Sequence, residues 1–303
     1  MKLNAKHAAP TLVLTTFILL LSSQLISPGA LGVRDNPYLA VIILQLLIFT
    51  IPTIIFCRLR GKNYIKKLRL ALFPARTVPF IVMCTFVMIL ASFAVKFLIY
   101  STSSAAPEAS NIYETFMPAG TVSVTNTLYM ALAFAVLPAV TEELLFRSVL
   151  LAEYEVCGAG AAVLFSSVFF AMLHFDFILF PVYLVSGIIL ALCAYVTRSV
   201  IAPMIVHAAN NLFAFFFEDS IWISILQQRN IVIFVFTAVA LLLLCTMLML
   251  GEAAHIYRRL GNTNANSSYV IPKDKRERVT GMLTSPALAL CLVLFVVITI
   301  IVN

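Results

Sequence analysis

The sequence predicts an all-α protein, a polytopic bundle of about eight or nine transmembrane helices with its N-terminus inside. Three observations carry this prediction. Of 303 residues, 62% are hydrophobic and 11% are charged, whereas soluble domains are roughly 45–50% apolar and about 25% charged. The mean hydropathy is +1.04. The apolar residues fall in membrane-length runs, and Lys and Arg cluster in alternate polar segments between them.

Nine apolar runs approach the roughly 20 residues that a membrane-spanning helix needs. They cover residues 11–32, 38–57, 79–100, 123–141, 158–175, 179–197, 200–217, 230–250 and 282–302. The fourth run is expected to continue as a helix through Arg147. The first run also resembles a signal peptide with small residues near Ala30, but its apolar length favours a retained span.

The distribution of basic residues predicts the orientation of the chain. Two clusters flank the third and last runs: Arg58, Arg60, Lys62, Lys66, Lys67, Arg69 and Arg76, then Arg258, Arg259, Lys273, Lys275, Arg276 and Arg278. The segment 101–121 contains Glu108 and Glu114 and no Lys or Arg. This alternation places the N-terminus inside and the C-terminus outside. We expect the segment 58–76 to form either an amphipathic helix on the inner surface or a plain positively charged loop.

The net charge of +7 would also suit a nucleic-acid-binding protein. The position of the charges between apolar runs instead indicates membrane orientation, so a nucleic-acid partner is not expected. The six cysteines include no CxxC pair and are interpreted as small buried hydrophobic residues.

The end of the fourth run carries charges that are costly inside a membrane and are therefore functional candidates. Glu143 and Arg147 are four residues apart, so they share a helix face and are expected to pair. Glu142 lies about 100° around the helix from its neighbour and is left to face another group. Pro138, four residues before Glu142, removes a backbone hydrogen bond and is expected to kink the helix.

Two later runs place further polar groups at the same helical spacing. Phe170 and His174 are four apart in the fifth run, and His207 and Asn211 are four apart in the seventh. A carboxylate, two imidazoles and an amide that converge in a dry pocket suit water activation and oxyanion stabilisation, the chemistry of a peptide-bond hydrolase. Taken singly, each has a structural interpretation: a solvated helix end, a packing histidine or an asparagine that joins helices.

Taken jointly, the three motifs resemble the CPBP family of CAAX prenyl proteases and bacteriocin-processing or self-immunity membrane proteins, also called the Abi family. The motifs are EExxxR (Glu142, Glu143, Arg147), FxxxH (Phe170, His174) and HxxxN (His207, Asn211). They occur in the family's order on separate apolar runs, within about residues 122–218. One departure is Ser148, where many members have Gly. This difference concerns local helix packing more than the chemistry of the site.

The resemblance implies a helical intramembrane endopeptidase. It implies that Glu142 and His174 activate water, that His207 and Asn211 stabilise the oxyanion, and that Glu143, Arg147 and Phe170 support them. Family members are often labelled metalloproteases, and Glu142, His174 and His207 could bind Zn²⁺ with a water as fourth ligand. A metal-free mechanism is favoured, because an oxyanion role explains Asn211 and a metal site does not.

The sequence divides into scaffold spans with a basic loop (1–121), a catalytic core (122–218) and C-terminal spans (219–303). The expected partners are the lipid bilayer and a membrane protein or peptide, with or without a lipid modification, cleaved near the inner face. The expected location is the bacterial cell membrane. Two alternatives stay open: a non-enzymatic immunity or scaffold protein of the same fold, and a proton-coupled transporter with Glu142 and His174 as a relay.

Overall fold

A computed structural model of the chain describes residues 5–23, 37–102, 123–227, 231–263 and 275–302. All regular structure in these ranges is helical. The helices are α1 (Ala5–Ser23), α2 (Tyr38–Arg60), α3 (Ala75–Thr102), α4 (Val124–Cys157), α5 (Ala159–Met172), α6 (Phe180–Thr197), α7 (Ile201–Gln227), α8 (Ile231–Thr263), α9 (Lys275–Leu283) and α10 (Pro286–Val302).

The predicted polytopic helical bundle is confirmed. Within the described ranges, α2, α3, α4, α6, α7 and α8 are long and apolar enough to cross a membrane, and α1, α5 and α10 contain shorter apolar helices. Each of the nine predicted runs coincides with one of these helices. The residues near Ala30, and Glu108 and Glu114, lie outside the described residues.

Helix α4 is longer than its apolar run predicts, which changes the depth of the acidic pair. The run ends at residue 141, but the helix continues to Cys157. At 1.5 Å per residue, Glu142 lies about 22 Å from that end and about 27 Å from Val124. The prediction that Glu142 lies at the foot of a span was therefore wrong, since it lies near the middle. The helix stays continuous through Pro138, with π-helical segments on both sides (Ala131–Val136 and Leu144–Leu150).

Helix α5 is too short for the full span predicted over 158–175. Its 14 residues extend about 21 Å, less than the roughly 30 Å of a hydrocarbon core. The chain then turns through residues 173–179 and returns as α6, which packs along α5. Asp176 accepts a hydrogen bond from the Leu179 backbone N–H at 2.8 Å. Irregular backbone at this depth is tolerated where protein encloses it or where it lines a cavity.

The basic segment 58–76 is not an amphipathic surface helix. It forms a short 3₁₀ helix (Lys62–Lys67) followed by an irregular stretch. Arg60 forms an ion pair with Glu153, and Arg69 forms one with Glu155. The buried Ser148 hydroxyl donates to the Leu68 carbonyl at 2.9 Å, so the departure from the family's glycine holds this segment against α4.

Gly187 allows α5 and α6 to pack closely, which also positions the site. A Cβ atom at this position would lie 3.0 Å from both Cα and Cβ of Ser167 and 3.3 Å from its carbonyl oxygen. We expect Gly187→Ala to destabilise the protein by about 1–3 kcal/mol, because the helices would have to separate. Thermal unfolding of the purified protein in detergent measures this loss.

Gly251→Ala is the matched control. Gly251 lies inside α8, and a Cβ atom there would meet nothing within 4 Å. The substitution is expected to be neutral or mildly stabilising, since alanine favours helix over glycine. Equal unfolding midpoints for the two variants would contradict close packing at Gly187.

Candidate active site

The acidic pair on α4 divides into one paired and one unpaired carboxylate. Glu143 and Arg147 are fully buried, and Arg147 Nη1 donates to Glu143 Oε1 at 2.7 Å. This confirms the predicted pairing. The same oxygen lies 3.0 Å from His207 Nδ1 on α7, a contact that the sequence analysis missed. Because a carboxylate only accepts hydrogen bonds, Nδ1 is the donor, and Nε2 is the nitrogen that Glu143 does not engage.

Arg147 joins three helices. Its Nη2 donates to the Gly187 carbonyl on α6 at 3.2 Å. Its guanidinium carbon lies 4.3 Å from the centre of the Phe170 ring on α5. With the bond to Glu143 on its own helix, Arg147 fixes α4 against the α5–α6 hairpin at the level of the site.

Phe170 separates the two histidines and supports both. Its ring meets His174 edge-on with centroids 5.1 Å apart, and meets His207 edge-on at 5.6 Å. With the guanidinium of Arg147 over its face, the ring is held from three directions. The first residue of the FxxxH motif therefore contacts both imidazoles as an apolar support.

His174 is held by its own backbone and by α6. Its Nδ1 lies 3.0 Å from the Phe170 carbonyl oxygen, which can only accept, so Nδ1 carries the hydrogen. The ring stacks on Tyr183 with centroids 3.7 Å apart and planes 14° from parallel. The second nitrogen, Nε2, is thereby left for other partners. Tyr183 was missed by the sequence analysis, because a tyrosine in an apolar run carries no distinguishing signal.

Glu142 lines a cavity of about 470 Å³. The cavity is lined by all four predicted catalytic residues: Glu142, His174, His207 and Asn211. Glu142 is 8% exposed, and its Oε2 has no hydrogen-bond partner among the described residues. Asn211 donates from Nδ2 to the Ala135 carbonyl at 3.4 Å, which ties α7 to α4 beside the cavity. The fold thus collects in one space four groups that are up to 69 positions apart in the chain.

The far end of the cavity carries an ion pair that the sequence analysis overlooked. Lys96 of α3 pairs with Glu218 of α7. Trp222 Nε1 donates to the same Glu218 oxygen at 3.2 Å, and the Trp222 ring stacks on Phe93 with centroids 5.3 Å apart. Lys96 stands inside an apolar run, so its charge alone was a signal that could have found it.

The side chains of the site do not form a zinc-binding group. Among the described residues, no three His, Cys, Asp or Glu side chains are grouped so that they could hold a metal ion. Glu142, His174 and His207, the set considered for Zn²⁺, share the cavity wall but do not converge on one point in this arrangement.

Residues 124–213 match the family model of the Rce1-like type II CAAX prenyl endopeptidases. The match begins at the first residue of α4 and ends in α7, so it contains all three motifs and the whole Glu143–Arg147–His207 network. It confirms the resemblance indicated by the motifs. No curated protein and no solved structure gave a significant match to the chain.

Proposed function

We propose that this chain, whose residues 124–213 match the model of the Rce1-like type II CAAX prenyl endopeptidases, hydrolyses a peptide bond in a membrane-associated protein or peptide by water activation at Glu142. One observation carries the proposal. Glu142, His174, His207 and Asn211 line one cavity within the bundle, and the carboxylate oxygen of Glu142 is unpartnered among the described residues. A general base needs a carboxylate oxygen that no other group already occupies.

The proposed reaction begins with a water molecule beside Glu142. The carboxylate takes a proton from this water while the water oxygen attacks the scissile carbonyl carbon. His174, whose Nδ1 hydrogen is bound by the Phe170 carbonyl, accepts from the same water through Nε2 and shares the proton with Glu142. The product of this step is a tetrahedral intermediate with a negative oxygen.

The oxyanion is stabilised from α7. His207 donates from Nε2 when its ring is doubly protonated, with Nδ1–H held by Glu143. The Asn211 amide is the second donor. Such donors act strongly in a site that excludes water. The intermediate collapses when the proton held by Glu142 and His174 passes to the leaving nitrogen, which breaks the C–N bond and releases a carboxylic acid and an amine.

Reconstitution of the purified protein in liposomes tests this reaction. With membrane polypeptides as substrates in H₂¹⁸O, hydrolysis is expected to create new C-termini that carry ¹⁸O. The absence of any new terminus with folded protein, across fractions from cells in which it is naturally made, would count against a protease.

Asn211→Ala is expected to lower kcat by about 10²–10³-fold, the effect of removing one oxyanion donor, with little change in KM. Asn210→Ala is the matched control, because Asn210 is the neighbouring amide on α7 but does not line the cavity that holds Glu142; it lines an adjoining cavity of about 190 Å³ that shares His174, His207 and Asn211. Cleavage assays on the two variants separate the roles. Equal losses would contradict an oxyanion role for Asn211.

We also propose that the reaction needs no resident metal, because the imidazoles and Asn211 are accounted for as proton carrier and oxyanion donors. Treatment of the reconstituted enzyme with a strong zinc chelator is expected to leave its cleavage rate unchanged. The metal content of the purified protein gives an independent readout. Loss of cleavage that returns on addition of Zn²⁺ alone would contradict the metal-free mechanism.

A further inference from the structure

The cavity that holds Glu142 extends toward one end of the bundle. Helix α3 contributes Lys96 and Tyr100, which lie in its last two turns before Thr102. Helix α7 contributes residues from His207 to Trp222, which lies five residues before the end of the helix at Gln227. The cavity therefore runs from the middle of α4, at Glu142, toward the C-terminal ends of α3 and α7.

The residues of α4 that line the cavity also place it toward this end of the bundle. The α4 residues that line the cavity are Phe134, Pro138 and Glu142, all in its first 19 residues. Beyond Glu142 the helix contributes no residue to this cavity, and every residue from Leu145 to Leu151 is at most 1% exposed. Arg147, with its bonds to α6 and its stacking on Phe170, lies in this buried section.

The buried section of α4 leads to the end of the bundle where basic residues cluster, which we call the basic end. Arg60 and Arg69 pair with Glu153 and Glu155 there, and α9 packs against residues 155–157. The basic segment 58–76 joins α2 to α3 at this end. At the other end, the connection that follows α3 contains no Lys or Arg in its sequence. A bias of this kind sets the basic end in the cytoplasm.

A second groove does not offer a cytoplasmic route to the site. It has a volume of about 540 Å³, lies between α2, the basic segment and α4, and is lined by residues such as Thr50, Leu70 and Leu144. None of the four candidate catalytic residues lines it.

We infer that peptide substrates enter the active-site cavity from the non-cytoplasmic side of the membrane. The substrate class is a polypeptide segment presented on that side, such as the exported part of a membrane-anchored protein. This differs from the cleavage near the inner face that the sequence predicted, because that prediction set Glu142 at the end of α4. The inference about cleavage rests on the proposed function, whereas the side on which the cavity opens does not.

Labelling with a membrane-impermeant maleimide tests the sidedness without any enzyme assay. Thr102→Cys and Ser220→Cys place exposed thiols near the cavity's open end, and Lys66→Cys and Lys67→Cys place them at the basic end. Cells that carry the full-length protein are labelled intact and after permeabilisation. The unsubstituted chain gives the background, since four of its six cysteines are buried.

Thr102→Cys and Ser220→Cys are expected to label fully in intact cells, and the two lysine variants only after permeabilisation. Labelling of either lysine variant in intact cells would overturn the inference. So would labelling of both open-end variants only after permeabilisation. The use of two positions at each end keeps the test decisive if one variant fails to fold.

Ala214→Cys links the opening to substrate entry. Ala214 lines the cavity on α7 and is half-buried. A bulky impermeant maleimide added to intact cells is expected to abolish cleavage by this variant and to leave the Lys66→Cys variant active. Cleavage that survives complete modification of Ala214→Cys would overturn entry by this route. A protein with the expected labelling but no cleavage in any condition would instead refute the proposed function.

Discussion

Glu142→Gln is expected to reduce peptide-bond cleavage by about 10²–10⁴-fold, the usual contribution of a positioned general base. The glutamine side chain has almost the same shape but cannot take a proton from water. Because Glu142 Oε2 has no partner among the described residues, the substitution breaks no described bond to that oxygen, and the variant should remain folded. Initial rates in reconstituted liposomes, together with an unfolding midpoint, measure the two properties separately.

Glu252→Gln is the control for this substitution. Glu252 lies on α8 and lines neither the cavity of Glu142 nor the smaller one beside it. The control should keep the wild-type rate. If Glu142→Gln also kept that rate, the role of Glu142 as base would be wrong, whatever the control showed.

Arg147→Met is expected to destabilise the protein by about 3–5 kcal/mol, the cost of breaking a buried ion pair from one side. Methionine fills part of the volume but leaves Glu143 without its charged partner and the Gly187 carbonyl without a donor. Thermal unfolding in detergent should show a large fall in the midpoint and a low yield of folded protein.

Two further variants show whether the cost comes from the unpaired charge. Arg58→Met makes the same change at an exposed position of α2 and should alter stability by no more than about 0.5 kcal/mol. Glu143→Gln combined with Arg147→Met removes both charges, so it should be more stable than Arg147→Met alone. A double variant as unstable as the single one would contradict this explanation.

The apolar helices could be predicted from the sequence because hydropathy is a local property. Where the prediction of a boundary was wrong, the cause is non-local. Helix α4 was expected to reach Arg147, yet it continues to Cys157, and in this last part Glu153 and Glu155 pair with Arg60 and Arg69 of the basic segment. No window of sequence around α4 contains these two arginines, which lie 93 and 86 positions from their partners.

The same distinction between local and non-local relations applies to the candidate site. Helical spacing correctly placed Glu143 and Arg147 on one face, since that relation lies within one helix. The bond between Glu143 and His207 joins residues 64 positions apart, and the stacking of His174 on Tyr183 depends on how α5 and α6 meet. Both follow from packing. The direction in which the cavity opens is also a property of several helices together, so the sequence could not predict it.

The most direct test of the central claim is a comparison of membrane-protein termini by mass spectrometry. Cells that carry the wild type are compared with cells that carry Glu142→Gln at matched expression. A protease with Glu142 as its base predicts termini that are present with the wild type and vanish with the variant, and these termini identify the substrate. Identical termini in the two cell populations, with the substrate-bearing membranes of the native host included, would contradict the claim and favour a binding or transport protein of the same fold.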